Sequence, residues 1–162
     1  MKKYVTAEDN IDMLTPAQIA VIADIYENGE GLLPEEDVEK AIVYYKMAAE
    51  MGDAYAQSTL ANAYTIGRDV EKSDEQALFW YMKSAEQGNP YSQYEVGMRI
   101  SEDEGALLWL HASAKQGFTT AMKELSDRLR EVDPRKSKKW LRRYYRKRNK
   151  IETINGKKFR GA

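Results

Sequence analysis

AIVYYKMAAEMGD at residues 41–53 and ALFWYMKSAEQGN at residues 77–89 are near copies of each other, offset by 36 residues. A period of that size is the mark of stacked helical hairpins, each burying its apolar face against its neighbours. The copies read as the second helix of such a hairpin. Within them Ala41 and Ala77 align, and Ala106 continues the column. Three residues on come Tyr44, Trp80 and Trp109, then the small pairs Ala48–Ala49, Ser84–Ala85 and Ser113–Ala114. Apolar residues at i, i+3 or i+4, and i+7 or i+8 form one helical stripe. Alanines in the stripe let helices approach closely, and the aromatic fills the gap to the next hairpin. Gly52, Gly88 and Gly117 close the three helices, each suited to a left-handed helix end.

First helices follow the same logic. Ala56, Leu60, Ala61 and Tyr64 set the pattern; Ile22, Ala23 and Tyr26 precede it, and Val96, Gly97 and Ile100 follow it. Leu125, Ser126 and Leu129 form a fourth version. Capping boxes are expected at Thr15–Gln18, Ser73–Gln76 and Ser101–Glu104, and Asp133-Pro134 opens a last helix. The reading is therefore all-α: a right-handed solenoid of about four antiparallel helix pairs in one domain over residues 1–150, ending in a basic helix. The units run over about 16–53, 54–89, 90–118 and 119–150, followed by a flexible tail over 151–162. Asn155-Gly156 in that tail is a turn signal between short apolar ends.

Residues 22–117 resemble Sel1-like repeats, relatives of the tetratricopeptide family with a longer loop. Unit 1 carries the pattern through Tyr26, Gly29, Gly31, Asp37, Lys40, Ala41, Tyr44, Tyr45, Ala48, Ala49 and Gly52. Unit 2 carries it through Ala56, Leu60, Tyr64, Gly67, Val70, Asp74, Ala77, Trp80, Tyr81, Ala85 and Gly88. Unit 3 departs from it: Ile100 stands in place of the tyrosine, and the loop is seven residues shorter. Unit 4 keeps little beyond periodicity, as a terminal cap would. The resemblance implies a protein-binding solenoid. Bacterial proteins of this kind act as scaffolds in signalling and envelope processes, as host-contact factors, or as inhibitors and immunity proteins for toxins.

Composition narrows the chemistry. Cysteine is absent from the 162 residues, which excludes disulfides and thiolate metal sites. No P-loop, dinucleotide fingerprint, zincin motif or nucleophile elbow occurs. His111 is the one histidine, too few for a metal cluster or a catalytic triad. Acidic residues such as Glu35, Glu36 and Asp37 gather at helix starts, where the helix dipole accounts for them. The expectation is a protein that is not an enzyme, with no cofactor and no metal. The start MKKYVTAEDN has no apolar run behind its lysines and no stretch approaches a membrane span, so a cytoplasmic location is expected.

Binding residues are expected where the first helices carry side chains that the repeat does not use, on the concave face of the stack. In unit 2 these are Tyr55, Ser58, Thr59 and Asn62; in unit 3 they are Tyr91, Tyr94, Glu95, Met98 and Arg99. Unit 1 offers the more apolar Ala17, Val21, Asp24 and Ile25. Tyrosine, methionine and arginine are common interface anchors. The leading expectation is an adaptor or toxin-neutralising protein that binds another protein there, with a homodimer left open.

Charge marks a second surface. Residues 1–125 carry 10 Lys+Arg against 22 Asp+Glu, and residues 126–162 carry 15 against 4. In RKSKKWLRRYYRKRNK, residues 135–150, Trp140, Leu141, Tyr144 and Tyr145 form an apolar stripe on a cationic helix. Arg142, Arg143, Arg146, Lys147 and Arg148 are its candidate contacts. Nucleic acid is the alternative partner, alongside an anionic membrane, an acidic protein or the acidic repeats themselves; docking as a cap demands the same stripe.

Overall fold

The computed structural model describes residues 11–29, 37–100 and 104–158, of which 104 and 151–158 are described as backbone only. Within these residues the regular structure is all helical, with no strand. It forms two compact units, Met1–Gln87 and Gly88–Ala162. The first holds α1 (Pro16–Asn28), α2 (Val38–Glu50), α3 (Ala54–Ile66) and α4 (Asp74–Glu86). The second holds α5 (Pro90–Arg99), α6 (Glu104–Lys115), α7 (Thr119–Val132) and α8 (Pro134–Lys158). In each unit every helix packs on the next in chain order.

The helix ends follow the local chemistry. Thr15 and Gln18 form both halves of a capping box: Gln18 N donates to Thr15 Oγ1 at 3.3 Å and Thr15 N to Gln18 Oε1 at 2.9 Å. At Ser73 the hydroxyl half is seen, accepting from Gln76 N at 3.2 Å. The box expected at residues 101–104 lies outside the described side chains, as do Gly31, Glu35 and Glu36. Gly52, Gly88 and Gly117 have φ of 98°, 92° and 93°. That conformation turns the chain so tightly that Asp53 and Asn89, the next residues, already cap α3 and α5.

The deepest side chains stand one residue past the expected aromatics. Tyr45, Tyr81 and Leu110 are the large side chains fully buried on the second helices, at 1%, 0% and 0% exposure. Tyr44 and Trp80 are also buried, though less deeply, and Trp109 is half-buried. The reason is helical geometry: Tyr45 stands four residues from both Ala41 and Ala49, in the middle of the alanine stripe. Tyr44 instead stacks on Tyr26 across the hairpin, ring centres 5.3 Å apart.

A polar network missing from the sequence reading repeats in both units. Ser84 Oγ donates to Ala54 O at 2.6 Å, and Ser113 Oγ to Pro90 O at 2.6 Å. Gln87 Nε2 donates to Gly52 O and Gln57 Oε1, at 2.9 and 2.8 Å. Gln116 Nε2 does the same to Gly88 O and Gln93 Oε1, at 2.8 and 2.9 Å. These bonds satisfy carbonyls left over where one helix ends and the next begins.

α8 differs from the expectation in two ways. Its backbone stays helical to Lys158, across Asn155-Gly156. A turn dipeptide reverses a chain only when the flanks pair as strands, and these flanks do not. The docked stripe also runs differently: Ser137 and Trp140 are buried and Tyr144 is half-buried, but Tyr145 is 49% exposed. Residues three and seven apart share a helical face, which Tyr145 leaves. Trp140 completes a core with Leu110, Ala114, Ala121, Met122 and Leu125. Ser137 Oγ donates to Ser126 O at 2.7 Å beneath it.

Candidate functional site

In the first unit, the residues singled out on α3 divide. Tyr55 is 51% exposed and Ser58 8%; Asn62 is exposed and Thr59 half-buried. Ser58 therefore offers almost no surface, because it lies beside Gln57 on the packed side of α3. Beneath Tyr55 lies a carboxylate-phenol cluster that the sequence reading missed. Tyr45 Oη lies 2.5 Å from Asp24 Oδ1 and 2.7 Å from Glu27 Oε2, and Tyr55 Oη donates to Asp24 Oδ1 at 3.0 Å. Arg68 Nη1 donates to Glu27 Oε1 at 2.6 Å. Burial, then bonding to Asp24 and Glu27, raises the Tyr45 phenol far above its ordinary value. Burial followed by Asp24 raises Tyr55 in the same direction. Both hydroxyls are thus fixed donors, and Asp24 is committed to holding them. Ala17 and Val21 are exposed, Val21 at 55%, and Ile25 is half-buried.

In the second unit, α5 and α7 bring a charged cluster together. Arg99 pairs with Glu95, and Arg128 Nε donates to Glu124 Oε1 at 2.8 Å. Arg128 Nη2 also reaches Met98 Sδ at 3.5 Å, while its Nη1 is buried without a hydrogen-bond partner among the described residues. Tyr94 sits among these charges; burial, then Glu95 and Glu124, raise its phenol. Tyr91 and Tyr94 are half-buried because both pack on Phe118, with ring centres 6.1 and 5.4 Å away. Met98 is 39% exposed. Glu124 and Arg128 were not singled out in the sequence; their one signal is the i, i+4 spacing of an ion pair.

On α8, Arg142, Arg143, Arg146, Lys147 and Arg148 are all exposed. Lys147 also has a structural role, since its Nζ donates to Gly117 O at the end of α6. Arg143 lies over the Trp140 ring, 4.9 Å from its centre. His111 meets the Trp140 ring edge-on at 5.3 Å. Burial, and after it Lys115, Arg143, Lys136 and Lys139, lower its pKa, so it is neutral at pH 7. No group of three or more metal-ligating side chains occurs among the described residues, and no helix there is long and apolar enough to cross a membrane.

The helix pairs, their glycine ends and their alanine stripes coincide with a known repeat. The Sel1 repeat family model matches residues 19–53, 54–89, 90–118 and 126–147. The chain belongs to the Sel1 repeat family. Its fold is similar to that of a Sel1 repeat protein from Oxalobacter formigenes, at 21% identity and a TM-score of 0.74, over 86% of this chain and 61% of that one. It is also similar to c5321, a protective antigen of uropathogenic Escherichia coli with an SLR fold, at 27% identity and a TM-score of 0.73. That match covers 86% of this chain and 32% of the antigen. This chain thus spans less than two thirds of either protein. No curated protein matches it.

Sel1 repeats generally serve as protein–protein interaction modules, and their family is typically a non-enzymatic scaffold. The repeat accounts for Ala41, Tyr45, Ala49 and their equivalents, all of which are buried. It does not account for the α5–α7 charge cluster or the cationic side of α8.

Proposed function

We propose that this Sel1 repeat protein is a non-enzymatic protein-binding module, an adaptor or toxin-neutralising protein, that holds its partner on the exposed residues of its first helices. The observation that supports this most is the α5–α7 cluster. Tyr94, Met98, Arg99 and Arg128 are residue types that anchor interfaces; Tyr94 also packs on Phe118, while Met98 is exposed beside the two arginines. The ion pairs to Glu95 and Glu124 hold both arginines in place, which lowers the entropy lost on binding. In the first unit, Tyr55 and Asn62 offer a phenol face and an adaptable amide beside the rigid Asp24 cluster.

The test is capture of the native partner. Changing Tyr55, Tyr91 and Tyr94 together to alanine should keep helicity by circular dichroism and abolish capture from the host. Tyr91 and Tyr94 also support Phe118, so a second variant, Met98→Glu, removes the surface while leaving that packing intact. Capture that both variants retain would refute this reading.

A further inference from the structure

The α8 side of the second unit carries two features that neither the repeat nor the proposed first-helix surface uses. The first is an apolar groove between α6, α7 and α8, lined by Leu107, Leu108, His111, Leu129, Lys136 and Trp140. Leu108 stands at its mouth, 71% exposed. The groove has a volume of about 270 Å³. An apolar cavity of about 150 Å³ already takes a benzene molecule, so one aliphatic or aromatic side chain fits here.

The second feature is the cationic face of α8. Arg135, Lys138, Lys139, Arg142, Arg143 and Arg146 lie along one side of the helix. Among the described residues none of the six pairs with a carboxylate; Lys136, their neighbour, pairs with Asp133 at 3.1 Å. Like charges three and four apart destabilise a helix, by about 0.2–0.5 kcal/mol each. Docking does not need them, since Ser137, Trp140 and Tyr144 supply it. The two features are contiguous: Lys136 lines the groove, and Arg143 covers the face of Trp140 at its edge.

We propose that this combined surface receives an acidic amphipathic segment of a partner protein. An apolar side chain of that segment enters the groove beside Leu108, and its carboxylates meet Lys139, Arg142 and Arg143. Charge complementarity names the occupant, and the groove decides between polyanions. A nucleic acid would satisfy the cations but leave the groove empty, and the net charge of −12 over residues 1–125 would repel an extended polyanion. The proposal rests on the protein-binding reading and specifies the partner's chemistry at a second surface.

The probe is a fluorescein-labelled synthetic peptide with leucines at helical spacing and glutamates elsewhere. A companion peptide has serine for each leucine; single-stranded DNA and phosphatidylglycerol vesicles are the other arms. The leucine peptide should bind, and salt should weaken it. Leu108→Glu and the pair Lys139→Glu with Arg143→Glu should each weaken it on the order of tenfold or more. Leu108 is exposed, so its variant should fold, with unchanged circular dichroism. The Met98→Glu variant, which leaves the core packing intact, should bind the peptide like the wild type. That separates the two surfaces: loss of peptide binding with native capture intact overturns this proposal alone. It is also overturned if the serine peptide binds as well as the leucine peptide, or if DNA or vesicles bind more tightly, indifferent to Leu108.

Discussion

At Gly97 the backbone of α5 lies close against α6, and Gly97→Ala tests whether that approach is as tight as the geometry states. A Cβ at position 97 would lie 2.8 Å from Leu110 Cγ, and 3.1 Å from both Leu110 Cδ2 and Ala106 O. Leu110 is fully buried in the core shared with Trp140, so its branch carbon has nowhere to retreat. Alanine gains about 1 kcal/mol over glycine in a helix interior. Overpacking a filled core costs about 1–3 kcal/mol. The obstacle is a branch carbon and a backbone oxygen, not a flexible tip, so the cost should prevail and leave a net loss of up to about 2 kcal/mol.

The cleaner measurement is a double-mutant cycle. Leu110→Ala alone should cost about 2–5 kcal/mol. In its background the new methyl group loses both Leu110 contacts and keeps only the Ala106 oxygen at 3.1 Å, so Gly97→Ala should become less costly or stabilising, with a coupling of about 1–3 kcal/mol. Urea unfolding followed by tryptophan fluorescence suits the assay, because Trp109 and Trp140 both report on the second unit, and circular dichroism gives the whole chain. A single mutant that raises the midpoint, or a double mutant additive within about 0.5 kcal/mol, would refute the close approach.

Three further outcomes follow from the side chains. Trp140→Ala should cost about 3–5 kcal/mol and release α8 from the α6–α7 core, read as a lower urea midpoint and a sharp gain in proteolysis after Val132. Tyr45→Phe should cost about 1–3 kcal/mol, at the lower end because Tyr55 still serves Asp24 and Arg68 still serves Glu27; thermal unfolding measures it. His111 has a lowered pKa in the fold, so its contribution is fully present above the ordinary value of about 6.5 and is lost as pH falls below that. His111→Gln should therefore flatten part of the decline in stability between neutral and mildly acidic pH, and an unchanged decline would remove His111 as its source.

Much of the hairpin scaffold was legible because it is local. A glycine with positive φ, a cap one residue later and an alanine stripe are decided within a turn or two of chain. Which aromatic lies deepest was less legible, because aromatics occupy both positions and both are buried: Tyr44-Tyr45 and Trp80-Tyr81 offer two candidates each. Spacing resolves the choice, since only the second member lies four residues from alanines on both sides. The glutamine network carried a signal too. Gln57 and Gln93 stand 36 residues apart, and Gln87 and Gln116 each precede a closing glycine. A polar side chain repeated at fixed phase on a packed helix must find a partner inside the stack.

The binding surfaces were less legible, for a physical reason. Exposure depends on which neighbour covers a side chain, and that is a tertiary fact. Ser58 and Asn62 stand four residues apart on one helix, yet Ser58 is buried and Asn62 exposed. Val43, Phe79 and Leu108 hold one position of the repeat and are 56%, 48% and 71% exposed. Periodicity alone would assign such a recurring apolar column to the core. Leu108 lines an apolar groove at whose rim α8 brings its cationic face. At the α8 end of the second unit, the groove beside Leu108 and the cations of α8 form a surface that the alanine and glycine pattern of the repeat does not specify. A partner that reads this protein apart from other Sel1 repeat proteins therefore has most to gain by touching that end.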